Sequence, residues 1–283
     1  MGALLNLFKL RIGVAIAVAA LAGMIVERGA GPGGWQATVL VLSVLLASAA
    51  AGAFNQYVER DLDARMQRTR NRPFVTGRLT HGPVWLWLIG GLTVAGVAAA
   101  TLATNAMAGL YVFLGAFVYG VVYTVWLKRR TWWNIVIGGL AGSFAVLAGA
   151  AAVTPTPGPE ALALAVVLFL WTPPHFWSLA IAYREDYAAA GVPMLPVVVG
   201  DARAARAVLV GAVLLVAASV LPFAGRMGVL YLACALAGGA LFIWRSIELV
   251  REPGRPRARA AFRASLVQLM AVLGGAMLEA AIA

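Results

Sequence analysis

Nine apolar stretches, each about twenty residues long, follow one another along this chain and leave it little choice of fold. They run roughly over 12–27, 36–56, 83–103, 107–127, 133–153, 161–182, 206–224, 228–247 and 262–282, lengths suited to crossing bilayer hydrocarbon as helices. Of 283 residues, 62% are hydrophobic and only 12% charged, more apolar surface than a soluble domain of this size needs. The stretches are too long for strands and do not alternate with period two, which excludes an outer-membrane barrel. The expected architecture is an all-α polytopic membrane protein, a single domain over residues 1–283, with nine transmembrane helices.

The connecting segments sort by charge. Of the 22 Lys and Arg residues, all but Arg28 and Arg226 lie before the first stretch or after the second, fourth, sixth and eighth. The positive-inside rule makes that side cytoplasmic, with the N-terminus inside and the C-terminus outside. The same sorting explains the net charge of +11 without invoking nucleic acid. Lys9 and Arg11 precede a first stretch with no small-residue cleavage site, so it reads as a helix that stays rather than a signal peptide. The single cysteine, Cys234, rules out a disulfide framework, a zinc site or a c-type haem attachment within one chain. Gly138 to Gly142 and Gly238-Gly239 are expected to serve close helix packing.

Against this background stands Asn55-Gln-Tyr-Val-Glu-Arg-Asp-Leu-Asp63, continued by arginines at 65, 68, 70 and 72. Ionisable groups at a bilayer are costly and point to function. Asn55, Glu59 and Asp63 are four apart, so a helix stacks their oxygens along one face. Oxygen ligands in a row with arginines close behind suit magnesium holding a diphosphate. Asp61 points away on an ideal helix; it either joins if the helix ends early or pairs with a neighbouring arginine. A second acid pair, Glu185 and Asp186, ends the segment opened by Trp171-Thr-Pro-Pro-His-Phe-Trp177. Two acid clusters on one face can converge on one cation cluster as a diphosphate leaves; the bland reading is a solvated helix end. His175 follows two prolines that free backbone carbonyls. It could ligate iron, orient a propionate or shuttle a proton, or simply hydrogen-bond a freed carbonyl. His81 reads as surface, and Trp85, Trp87, Trp126, Trp132 and Trp133 as interfacial anchors. Tyr57, Tyr123 and Tyr187 lie near the acids in sequence and could face an allylic cation.

Four groups of residues carry a family resemblance over most of the chain. They are Asn55 to Asp63 with Arg68-Thr-Arg-Asn-Arg-Pro73, Tyr123 to Thr131 with Asn134 to Gly139, Trp171 to Trp177, and Asp186 to Val197. The chain resembles the UbiA-type intramembrane prenyltransferases, and its last two motifs resemble the branch that acts on haem. The resemblance implies a nine-helix bundle around a central cavity capped by two acid-bearing cytoplasmic loops, in a bacterial inner membrane. It implies Mg2+ on Asn55, Glu59, Asp63 and Asp186, with Arg68, Arg72 and Lys128 gripping the diphosphate and Tyr123 and His175 completing the substrate contacts. Farnesyl diphosphate would be the donor and haem B the acceptor, giving haem O, with a downstream haem-modifying membrane enzyme as a partner. Two departures stand out: Glu59 where the family motif has aspartate, and Ala190 four residues after Asp186, which leaves the second metal site poor in carboxylates. Competing readings are a prenyltransferase for a quinone precursor or chlorin, a transporter, and a structural subunit. Acids at one face and the absence of an inverted repeat argue against a transporter, and a structural subunit leaves the carboxylate ladder unexplained.

Overall fold

A computed structural model describes residues 2–282, the side chain of Ala3 apart. Among these residues there are helices and no strands. Nine long helices account for the nine stretches: α1 Leu10–Val26, α2 Gly34–Val58, α3 Val84–Ala103, α4 Ala106–Leu127, α5 Asn134–Val153, α6 Pro159–Ala182, α7 Asp201–Gly225, α8 Val229–Arg251 and α9 Arg255–Ile282. Eight have the length and apolarity to cross a membrane on their own. The exception, α1, has 17 residues and is extended toward the loop face by a short helix, Gly2–Leu7. The protein is an all-α polytopic membrane protein.

The helix starts differ from the apolar stretches where arginine is involved. α7 begins at Asp201 rather than 206, and α9 at Arg255 rather than 262. Arginine is a good helix former and Pro256 fits a first turn, so these helices extend beyond their apolar parts. Arg255 and Arg259 are thereby ordered on a helix rather than left in a loop.

Close packing rests on small residues. A Cβ added at Gly23 would strike the Val146 backbone, and one at Gly149 the Ala20 backbone, so α1 and α5 touch main chain to main chain. Gly238 likewise lies against the backbone of Gln268, across α8 and α9. On the face away from the acids, the Glu27 carboxylate accepts a 2.8 Å bond from Gly158 N–H, and Arg28 lies 3.9 Å from Glu160. Those contacts tie the two outer turns together. Trp87, Trp126 and Trp133 are exposed on the bundle surface, as interfacial anchors would be. Trp85 instead packs edge-on against Phe74 and donates to the Thr80 carbonyl, and Trp132 stacks on Trp133 against the core.

The opposite face carries the acids. Its two segments, 59–82 and 183–200, meet over a small apolar floor that includes Leu62, Met66, Ile135, Tyr187 and Met194. Between α2, α3 and α4 lies an open apolar cavity of about 450 Å³. Phe54 and Gly120 line it, the chain neighbours of Asn55 and Tyr119.

Candidate active site

Helix α2 ends at Val58, and Glu59 sits at its C-cap with φ −91° and ψ 9°. A short helix, Arg60–Arg65, follows directly. The four-residue ladder survives the break. Glu59 N–H donates to the Asn55 carbonyl at 3.0 Å, and Asp63 N–H to the Glu59 carbonyl at 2.8 Å. Asn55, Glu59 and Asp63 are all buried.

Each ladder residue meets a cation. Lys9 Nζ donates to Asn55 Oδ1 at 2.6 Å and to the Tyr119 hydroxyl at 3.0 Å. Lys128 Nζ lies 2.6 Å from both Glu59 carboxylate oxygens. Arg72 meets the Asp63 carboxylate at 2.5 Å. Asn55 also donates from Nδ2 to the Thr124 hydroxyl at 3.1 Å.

The charges respond to this crowding. Burial raises the Glu59 carboxyl, but Lys128, Lys9 and Arg72 together outweigh it, so the net shift is downward. At Asp63 burial prevails over Arg72, and the carboxyl is raised. Burial, with Arg72 and Lys128 nearby, pulls the Lys9 ammonium down to about 7.

The second half of α4, Val118–Leu127, is wound as a π-helix. On an α-helix Tyr119 and Lys128, nine residues apart, would project to opposite sides. The wider winding, closed by Lys128 N–H on the Tyr123 carbonyl at 2.9 Å, turns both to the ladder. Lys128 Nζ stands 5.5 Å from the centre of the Tyr123 ring. Gly138 lies under that ring, where a Cβ would come within 3.0 Å.

Some expected residues lie elsewhere. The Asp186 carboxylate accepts the backbone N–H groups of Gln67 and Arg68, each at 3.2 Å. It clamps one loop to the other rather than joining the ladder; among the described residues no three His, Cys, Asp or Glu side chains converge. Arg68 turns from the ladder toward Tyr187 and Tyr183. Tyr57 faces away from the acids, stacked on His81 at 4.0 Å and edge-on to Phe74. His81 is exposed, as expected, and Tyr57 is its platform. Asp61 and Glu185 are exposed and make no ion pair among the described residues. His175 lies on the seam of α6 and α9. It is stacked between Trp171 and Phe262, and its Nδ1 is 2.7 Å from Ser265 Oγ.

Two ladder partners, Lys9 and Tyr119, escaped the motif reading. A signal was present: the chain has 22 cationic residues and only two are lysines, Lys9 and Lys128. Both stand at the ladder.

The donor set suits a hard divalent cation. An amide oxygen and two buried carboxylates, Asn55, Glu59 and Asp63, are magnesium-type ligands.

A model of the UbiA prenyltransferase family matches residues 16–271. The chain belongs to the UbiA prenyltransferase family. It is therefore an integral membrane prenyltransferase. It is 58% identical over 276 residues to protoheme IX farnesyltransferase 2 of Paramagnetospirillum magneticum, covering 98% of this chain and 96% of that protein. With protoheme IX farnesyltransferase of Thermus thermophilus it shares 40% over 274 residues, covering 96% of this chain and 45% of that longer protein. Among solved structures, digeranylgeranylglyceryl phosphate synthase matches with a TM-score of 0.81 at 18% identity, over 100% of this chain and 99% of the other. A UbiA homologue from Archaeoglobus fulgidus, solved with GPP and Mg2+, matches at 0.71 and 17%, over 95% and 99%. These two UbiA structures share the fold.

Proposed function

We propose that this UbiA-family protein transfers the farnesyl group of farnesyl diphosphate to a vinyl group of haem B, giving haem O. The observation that carries the prenyl-diphosphate half is the buried ladder, Asn55, Glu59 and Asp63, with Lys9, Lys128 and Arg72 on its oxygens. The acceptor half is carried by 58% identity to a protoheme IX farnesyltransferase over nearly the whole chain.

Asn55, Glu59 and Asp63 are the residues that would hold Mg2+, which when bound neutralises diphosphate charge and favours its departure. Lys128 and Arg72, now paired with carboxylates, are placed to turn onto diphosphate oxygens, Arg72 by its fork and Lys128 as a point charge. Lys9, just before α1 and now on Asn55 Oδ1, is placed to do the same. The bond from farnesyl C1 to oxygen breaks, and its electron pair leaves with the diphosphate. The Tyr123 ring beside Lys128 offers its face to the allylic cation. A haem vinyl carbon attacks that cation, and water adds to the resulting carbocation with loss of a proton. The farnesyl chain lies in the apolar cavity that begins at Phe54 and Gly120. His175 would meet the haem through Nε2, since Ser265 holds its Nδ1. The ladder face is cytoplasmic and the membrane the bacterial inner membrane; all of residues 1–283 act as one domain.

The test is Asp63→Asn, nearly isosteric at a buried position. Turnover of farnesyl diphosphate should fall by about two to three orders of magnitude, while the variant still purifies as a folded membrane protein. Near-normal turnover would remove the ladder from the reaction.

A further inference from the structure

A second cationic site stands apart from the ladder, at the end of α6. Three guanidinium groups surround the ring of Tyr183: Arg68 at 5.3 Å, Arg255 at 5.4 Å and Arg259 at 5.5 Å from its centre. They come from two distant parts of the chain, the loop after α2 and the first turns of α9. Arg259 also donates to the Tyr183 hydroxyl at 3.2 Å. That bond above all, with the neighbouring guanidiniums, holds the phenol below its usual value, a sign of locally positive potential.

What distinguishes the cluster is the convergence of three guanidiniums on one ring with no carboxylate among them. Arg184, Arg245 and Arg257 each have a carboxylate partner. Arg68, Arg255 and Arg259 have none among the described residues. The nearest acid by contact, Asp186, spends its oxygens on backbone N–H groups. Contact with the ring face offsets part of the mutual repulsion. Exposed guanidinium forks gathered around one aromatic platform are arranged for an external anion.

Position says which anion. The diphosphate belongs with the ladder, where Lys128, Arg72 and Lys9 already converge. Tyr183 instead heads the seam of α6 and α9 on which His175 lies, eight residues or about 12 Å of helix rise deeper. On α9 the same seam runs from Arg255 and Arg259 to Phe262 and Ser265, which hold the His175 ring. Haem B, the acceptor proposed above, carries two propionate carboxylates, anions that suit guanidinium forks at the head of this seam. We propose that Tyr183, Arg255 and Arg259, with Arg68 beside them, form a cradle for the carboxylates of the prenyl acceptor. The inference rests on haem B being that acceptor and adds the residues that orient it.

The experiment compares wild type with an Arg255→Gln, Arg259→Gln double variant, in nanodiscs of uncharged phosphatidylcholine. Haem B and its dimethyl ester serve as acceptors. For haem B the KM should rise about tenfold, while the KM for the ester and for farnesyl diphosphate stay within about twofold. Arg259→Lys, which keeps charge but loses the fork, should fall between. Equal loss on the acid and the ester would overturn the cradle, as would a rise confined to the KM for farnesyl diphosphate. A defect that appears only when phosphatidylglycerol is added would assign the arginines to lipid headgroups and overturn it too. Wild type that fails to farnesylate haem B at all removes the acceptor reading underneath, a distinct outcome from wild type that works and variants that match it.

Discussion

Lys9 shows how a site residue hides in plain sequence. As a cation just before the first span it reads as a topology signal, yet its ammonium sits on Asn55 Oδ1. It is also the one non-glycine residue with positive φ among those described, at 46°, a conformation costing about 1 kcal/mol. That turn separates the helix Gly2–Leu7 from α1 and swings the side chain onto the ladder. Its folded value of about 7 lies below the ordinary lysine value of 10.5, so between them the unfolded chain binds more protons. Stability contributed at this position therefore rises with pH across that window. In metal-free detergent, the Tm of wild type minus that of Lys9→Met should grow from about pH 7 to about pH 10. A flat or falling difference would contradict the burial of a charged ammonium here. The acids were more legible than their partners. Four-residue spacing sufficed for Asn55, Glu59 and Asp63, because their backbone bonds run through the break. Asp186 was not legible, since its carboxylate answers to N–H groups more than a hundred residues away.

Among elements, α4 departs furthest from an ideal helix. Nothing in Val118 to Leu127 announces π winding, because hydropathy averages over a turn and is blind to which face a residue takes. Without that winding Tyr119 and Lys128 could not serve one site. The same helix walls the apolar cavity with α2 and α3, through Ala116 and Gly120. Ala116→Trp should therefore raise the KM for farnesyl diphosphate about tenfold and spare the shorter dimethylallyl diphosphate. Equal effects on both donors would place the chain elsewhere. The start of α9 was hidden for a related reason. Its arginines lie beyond the apolar stretch, so only the folded helix sets Arg255 and Arg259 beside Tyr183.

At the scale of the whole molecule the sequence was most informative, because membrane solvation is a blunt constraint that every span must meet. Apolar length and arginine sorting both point to nine helices, and the described residues contain nine. Orientation is testable with single cysteines in a Cys234→Ala background. Arg70→Cys should react only from the cytoplasm and Gly31→Cys only from outside; the reverse pattern would invert the topology. One product decides the acceptor. Purified protein incubated with haem B, magnesium and farnesyl diphosphate should yield a tetrapyrrole heavier by one farnesyl group and one hydroxyl, with release of diphosphate. Unchanged haem B, alongside prenylation of a quinone precursor or chlorin under the same conditions, would contradict it.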